Sequence, residues 1–303
     1  MNRREARQCL TGPIPSICTP FLSDGSVDYA GLRNIVAFCI DAGTSTLLLT
    51  AGDSHYLCLS DEEILEVTRV TCRQAAGRAS VIAADRFHAT GRAVEFAKQV
   101  RPLGAAMMMC MPPDWAGSCT PRTLAEHYAA VATVLPVMIV TNVFIPRGAD
   151  FGLETVRRSM EASKNIVAVK DDMCGDFARK LCLLAGGELA IIAGGQKINH
   201  MNMWPYGVDG YLSTFLSFKP EIARRYWKAI EADDIPAARQ IIREYDVPLF
   251  DYLLPHRGGF DAPMHGIYEL FGLCGRWRRP PYCSATDEEM ERLRGFLTDR
   301  KLL

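Results

Sequence analysis

Eight short apolar segments, each followed by a stretch of helical periodicity, run through the first 232 residues of this chain. That alternation limits the fold more than any other feature. Ile14–Cys18, Thr46–Thr50, Ser80–Ala84, Ala105–Cys110, Pro136–Thr141, Ile166–Lys170, Leu189–Ala193 and Gly210–Ser213 read as buried strands. Asp28–Ala42, Thr90–Val100, Thr120–Val134, Gly152–Ala162, Asp176–Leu184, Ile198–Tyr206 and Pro220–Ala232 read as helices. The helix after the second strand opens on Ser60-Asp61-Glu62-Glu63, a capping box in which the serine hydroxyl and a glutamate satisfy end N–H groups reciprocally. Strict alternation implies parallel strands joined by helical crossovers, and eight units imply closure into an α/β TIM (β/α)8 barrel. A doubly wound open sheet is the second choice, but its phosphate-type glycine fingerprint is missing.

After Ala232 the strand pattern stops. Asp234–Tyr245, Pro255–Phe271 and Thr286–Thr298 read as helices, so the chain divides into a barrel over 1–232 and a C-terminal helical extension over 233–303. The basic run Arg276-Trp277-Arg278-Arg279-Pro280-Pro281 reads as a packed connecting loop. With 303 residues and 49% apolar content there is ample material for one large core. A formal charge of -1 argues against a nucleic-acid surface or a polybasic membrane surface. The opening MNRREARQCL has no apolar signal region, and a soluble, cytoplasmic protein is expected. The eleven cysteines are scattered and lack any C-x-x-C pair, and the six histidines lack HxH or HxxxH spacing. Neither a disulfide framework nor a metal site is expected, and no cofactor.

Lys170 closes the apolar run Asn165-Ile166-Val167-Ala168-Val169 and is followed by Asp171 and Asp172. In a parallel barrel the C-terminal ends of the strands carry the chemistry. A lysine held there against apolar walls loses solvation of its ammonium form, which makes the free amine available to attack a carbonyl.

Several motifs recur in order along the chain. They are Thr19-Pro20-Phe21 with Asp24-Gly25 and Val27-Asp28, then Thr50-Ala51-Gly52-Asp53-Ser54, then Val137–Val143 with Gly148 and Glu154-Thr155-Val156. Asn165–Lys170 with Gly175-Asp176, Gly194-Gly195, Gly207–Ser213 and Pro280-Pro281 complete the series. Together they resemble the dihydrodipicolinate synthase / N-acetylneuraminate lyase family over roughly residues 12 to 298. The resemblance implies a class I, Schiff-base-forming aldolase on a TIM barrel with C-terminal helices, and a homo-oligomer (dimer or tetramer). Tyr56 and Trp115 are expected as exposed aromatics for such a subunit contact.

By that resemblance Lys170 is the imine-forming residue, and the Thr50, Ala51 and Gly52 turn anchors the carboxylate of a 2-oxo acid. Thr141 takes the place of the family's catalytic tyrosine, and Ala51 that of its second threonine. The family's arginine position falls on Pro146, one residue before Arg147, which becomes the candidate for a distal substrate group. Gly194 and Tyr211 join the substrate-binding set. A threonine hydroxyl is too weak an acid to replace a phenol as proton shuttle, so His55 is the candidate base. Asp172 is expected to cap the following helix, while Gln196 and Lys197 are placed near substrate hydroxyls. His127 is expected to pack rather than to catalyse. The expected activity is a lyase, aldolase or dehydratase, acting on a small-molecule 2-oxo acid such as pyruvate or a 2-oxo-3-deoxy sugar acid. Dihydrodipicolinate synthase activity itself is not expected, given Thr141 and Arg147. The alternative is a family member that has lost turnover and binds or senses a 2-oxo acid.

Overall fold

A computed structural model describes all 303 residues. The eight strands are β1 (Gly12–Ile14), β2 (Thr46–Leu48), β3 (Ser80–Ala84), β4 (Ala105–Cys110), β5 (Val137–Val140), β6 (Ile166–Asp171), β7 (Ala190–Ala193) and β8 (Gly210–Leu212). They pair in parallel, in the order β1-β8-β7-β6-β5-β4-β3-β2. Closure between β1 and β2 is made by the stretch just beyond β1. Leu48 N–H donates to Pro15 O at 3.1 Å, and Ile17 N–H donates to Leu48 O at 2.9 Å. The expected strand Ile14–Cys18 is thus divided: Gly12–Ile14 pairs with β8, and Ser16 bridges to β2. Pro13 and Pro15 cannot donate to a ladder, which is why one continuous strand does not form there. Every residue of β2, β5, β6, β7 and β8 is buried, as expected of strands covered on both faces.

The crossover helices fall within a few residues of their expected bounds, and Thr90–Val100 matches at both ends. One helix has no counterpart among the expected elements. Arg3–Leu10 lies across the N-terminal end of the barrel, where Arg7 reaches Asp209 at 3.0 Å and the Leu189 carbonyl at 2.8 Å. Its capping box, Asn2 with Glu5, is the signal that could have located it.

Beyond the barrel, Ile235–Ile241 continues through a π-helical turn at Ile242–Asp246 into Val247–Leu253, followed by Asp261–Leu270 and Asp287–Asp299. One apolar core runs through the barrel and these helices alike, from Ile14 and Val169 to Leu249, Met264 and Leu293. The basic run packs as a loop: Arg279 makes two bonds of 2.7 Å to the Glu63 carboxylate, and Arg278 donates to Gly258 O at 2.9 Å. No helix is long and apolar enough to cross a membrane.

Candidate active site at the C-terminal end of the barrel

β6 carries Lys170 to the mouth of the barrel, in register with Val140 of β5 and Ile192 of β7. Its side chain is 9% exposed, and Nζ meets both oxygens of Asp172 at 2.5 and 2.6 Å. Two adjoining cavities, of about 270 and about 240 Å³, share Asp53, Lys170 and Asp172 in their walls. The smaller is completed by Thr50, Ala51, Gly52, Val140 and Asn142. The larger opens toward Ser16, Ser213 and the C-terminal helices, which supply Phe250, Phe260, Asp261 and Met264. Lys170 is the one cationic side chain in either wall. Around it stand three carboxylates. Burial, with the charge of Asp53 acting the same way, pushes the Asp261 carboxyl up to about 6.

The turn after β2 is held from within. Asp53 N–H donates to Thr50 Oγ1 at 3.0 Å, and Thr50 N–H donates to Ser54 Oγ at 3.0 Å. The amides of Ala51 and Gly52 are left without a partner in the chain, in a wall of the cavity that also holds Lys170. Such adjacent amides are a small anion cradle. Thr50, Ala51, Gly52 and Lys170 therefore come together in space, and Gly194 adjoins them. A Cβ on Gly194 would stand 1.9 Å from Asp172 Oδ1, so this glycine makes the room that the carboxylate occupies beside Lys170.

Other expected site residues lie elsewhere. Thr141 is in line with Asp171 on the outer face of the sheet. Its hydroxyl donates to Asp171 Oδ1 at 2.8 Å and accepts from the Asp172 amide at 2.8 Å, which leaves it a buried brace. Asp171, not Asp172, caps the turn before the Gly175–Ala185 helix, accepting from the amides of Met173 and Cys174 at 3.1 and 3.0 Å. Arg147 is taken by Asp114 at 2.6 Å and by Cys119 O at 3.1 Å, and lies over the Phe151 ring at 4.0 Å, away from both cavities. Tyr211 faces the helical layer, packed on His200 and Tyr226, while its neighbour Leu212 lines the larger cavity. Lys197 is locked in a buried ion pair with Asp246 at 2.7 Å. Tyr56 is fully buried, whereas Trp115 is 87% exposed on the loop after β4. His127 packs as expected, its Nδ1 3.0 Å from Thr90 Oγ1.

His55 lines neither cavity. It is buried at a left-handed backbone position (φ 57°), and burial pushes its imidazole down to about 3, far from a base poised for neutral pH. Its Nε2 lies 2.9 Å from His265 Nε2 and 3.5 Å from Cys18 Sγ, a cluster of three donor atoms able to hold a metal ion. Spacing along the chain hides this group, because its members are brought together from positions 18, 55 and 265.

Asn142, Asp261, Ser16 and Ser213 were not among the expected site residues. Asn142 Oδ1, Ser16 Oγ and Ser213 Oγ are buried without a partner, and each residue lines a cavity. The period-2 alternation of a strand was the available signal. With Lys170 and Val140 facing inward, Asn142 faces inward and Thr141 does not.

The model of the dihydrodipicolinate synthetase family matches residues 9–300. The chain belongs to that family. A curated relative, 4-hydroxy-tetrahydrodipicolinate synthase of Shewanella sp. (strain MR-4), is 34% identical over 296 residues, covering 96% of each chain. Dihydrodipicolinate synthase from Aquifex aeolicus superposes with a TM-score of 0.84 at 25% identity, over 97% of this chain and 99% of that one. N-acetylneuraminate lyase from Fusobacterium nucleatum, solved complexed with pyruvate, shares the fold with a TM-score of 0.84 at 21% identity, over 97% of each chain. Members of the family are Schiff-base-forming class I aldolases that act on pyruvate. The expectation that set dihydrodipicolinate synthase activity aside finds no support here, since relatives spanning nearly the whole chain carry that name.

Proposed function

We propose that this chain is a Schiff-base lyase for pyruvate-bearing 2-oxo acids, with Lys170 as the nucleophile. One observation carries the reading. Lys170 is the sole cation in two joined cavities, held by both oxygens of Asp172, with two unpartnered amides in the same wall. Asp172 is the nearest acceptor for the proton that the ammonium must lose. The free amine then adds to the keto carbon of the substrate, and the carbinolamine loses water to give an iminium. The amides of Ala51 and Gly52 hold the substrate carboxylate. When the C3–C4 bond breaks, its electron pair forms the C2=C3 double bond and the iminium π pair moves onto the nitrogen, leaving an enamine and releasing an aldehyde. The C4 hydroxyl gives its proton to a carboxylate, and Asp261, with its pKa near 6, is suited to that exchange. Protonation of the enamine at C3 and addition of water release pyruvate and restore Lys170.

The walls also bear on the reacting partner. Ser16, Ser213, Asn142 and three carboxylates offer hydrogen bonds to hydroxyl groups, and no guanidinium lines either cavity. The partner that suits them is a hydroxylated aldehyde.

Borohydride reduction in the presence of pyruvate, read by intact mass and peptide mapping, tests the chemistry. The expected result is a single reduced adduct on the Lys170 peptide, absent in Lys170→Ala. Failure to trap pyruvate or any larger 2-oxo acid on folded protein would falsify the proposal and favour a binding role without turnover. With imine formation established, cleavage of 2-oxo-3-deoxy sugar acids is measured beside condensation with an acidic semialdehyde. Equal turnover would remove the assignment of partner while leaving the imine chemistry in place.

A further inference from the structure

Cys18, His55 and His265 reach one point from the segment after β1, the loop after β2 and the Asp261–Leu270 helix, and all three are buried. His265 Nε2 lies 2.9 Å from both His55 Nε2 and Cys18 Sγ, and Cys18 Sγ lies 3.5 Å from His55 Nε2. A neutral imidazole nitrogen carries either one proton or one lone pair. As a donor, His265 Nε2 must divide its proton between two acceptors; as an acceptor, it must offer one lone pair to two donors. Hydrogen bonding therefore satisfies this group only in part. A cation among the three atoms would take up all three lone pairs together.

We propose that Cys18, His55 and His265 form a binding site for a zinc-class divalent cation. One sulfur and two imidazole nitrogens form a borderline-soft set, which selects zinc and its neighbours over magnesium or calcium. On binding, the thiol proton leaves to solvent and the thiolate becomes the ligand. Two imidazole nitrogens on a tetrahedral zinc stand about 3.4 Å apart, so the ligands need only move outward by about half an ångström. Three protein ligands leave a fourth position. Cys18 is the member that also lines the cavity of Lys170, and on that side an oxygen of water or of a bound substrate can complete the coordination. None of the ligands takes part in imine formation, so the site stands or falls apart from the function proposed above.

The test uses the full chain, reduced and stripped with a chelator, without substrate. Zinc is titrated in competition with a chromophoric chelator, and cobalt is added separately and followed by absorption. The expected result is one tightly held zinc per chain and a thiolate-to-cobalt charge-transfer band in the near ultraviolet. Cys18→Ser removes the band, and His265→Gln weakens zinc at least tenfold, while His127→Gln, a buried histidine elsewhere, changes neither. Zinc protection of Cys18 against alkylation in the unsubstituted protein, mapped by peptide mass, gives the same answer if a variant fails to fold. Failure of the folded protein to compete for zinc would overturn the proposal. So would zinc binding that leaves Cys18 fully open to alkylation, or that is unchanged in both variants.

Discussion

At the scale of single residues, the most demanding contact in the site belongs to a residue without a side chain. The Asp172 carboxylate lies where a Cβ of residue 194 would be, 1.9 Å from its Oδ1, and the Asp171 carbonyl is 2.7 Å from the same point. One of these is backbone, so the neighbourhood cannot absorb a methyl group by a rotamer change. Gly194→Ala is expected to push Asp172 away from Lys170 Nζ and to lower kcat by about 100-fold, the scale of an ångström's misplacement of a reacting group. Circular dichroism should stay unchanged, and Asp172→Asn should show a comparable loss. Full activity in Gly194→Ala would mean that the Lys170–Asp172 pairing plays no part in turnover. Residues of this kind divide by what the chain alone can show. Lys170 was legible because an ammonium ending an apolar strand is chemically conspicuous. Thr141 and Tyr211 were misplaced by the parity of one residue: motif order locates a strand, but only its register decides which neighbour faces the cavity. Arg147 was misplaced for another reason, since its partner Asp114 lies on a different loop.

At the scale of elements, the strands and crossover helices were legible because burial on both faces forces long apolar runs, while the ends of β1 were not, because proline removes ladder donors without disturbing hydropathy. One strand end carries a group that hydropathy cannot announce. Asp85, just after β3, is fully buried. One carboxylate oxygen accepts from the Met111 amide beyond β4 at 2.7 Å, and the other has no partner. Burial raises this carboxyl from 3.8 to about 7, against the opposing pull of the amide. Between those values the native state keeps a proton that the unfolded chain has lost. Stability contributed here is therefore present in full below about pH 4 and is lost as pH rises from there through about 7, by roughly 4 kcal/mol. Asp85→Asn keeps the acceptor and cannot ionise. Urea unfolding is expected to show the variant more stable than the unsubstituted protein at pH 8, by about 2 kcal/mol or more, and nearly equal at about pH 3.5. A variant equally stable or weaker at pH 8 would show that burial does not raise the Asp85 carboxyl above its ordinary range.

At the scale of the whole molecule, the division at residue 232 is a change of element type within one packed body. The C-terminal helices wall the Lys170 cavity, and a buried ion pair ties them to the barrel. Lys197, opening the helix after β7, gives its ammonium to Asp246 Oδ1 at 2.7 Å and its amide to Oδ2 at 2.9 Å, with Nζ 4.1 Å from the Phe215 ring centroid. Asp246 ends the π-helical turn, and Pro248 beyond it has no N–H with which to continue the regular ladder, so the wider turn is tolerated at this point. Nothing in sequence spacing links 197 to 246, which is why Lys197 looked like a substrate contact. Burial pushes the Lys197 ammonium down, and Asp246 counters it. Removing one partner leaves the other charge in an apolar setting, so Asp246→Ala should cost about 3–5 kcal/mol of stability. It should also expose the Val247–Leu253 segment to proteolysis. Replacing both members by apolar residues of similar volume, Lys197→Met with Asp246→Leu, removes the stranded charge and should recover most of that loss. Urea unfolding of the single and double variants decides the matter. A single variant costing less than about 1 kcal/mol, or a double variant no more stable than the single, would show that the ion pair does not join the two parts of the molecule.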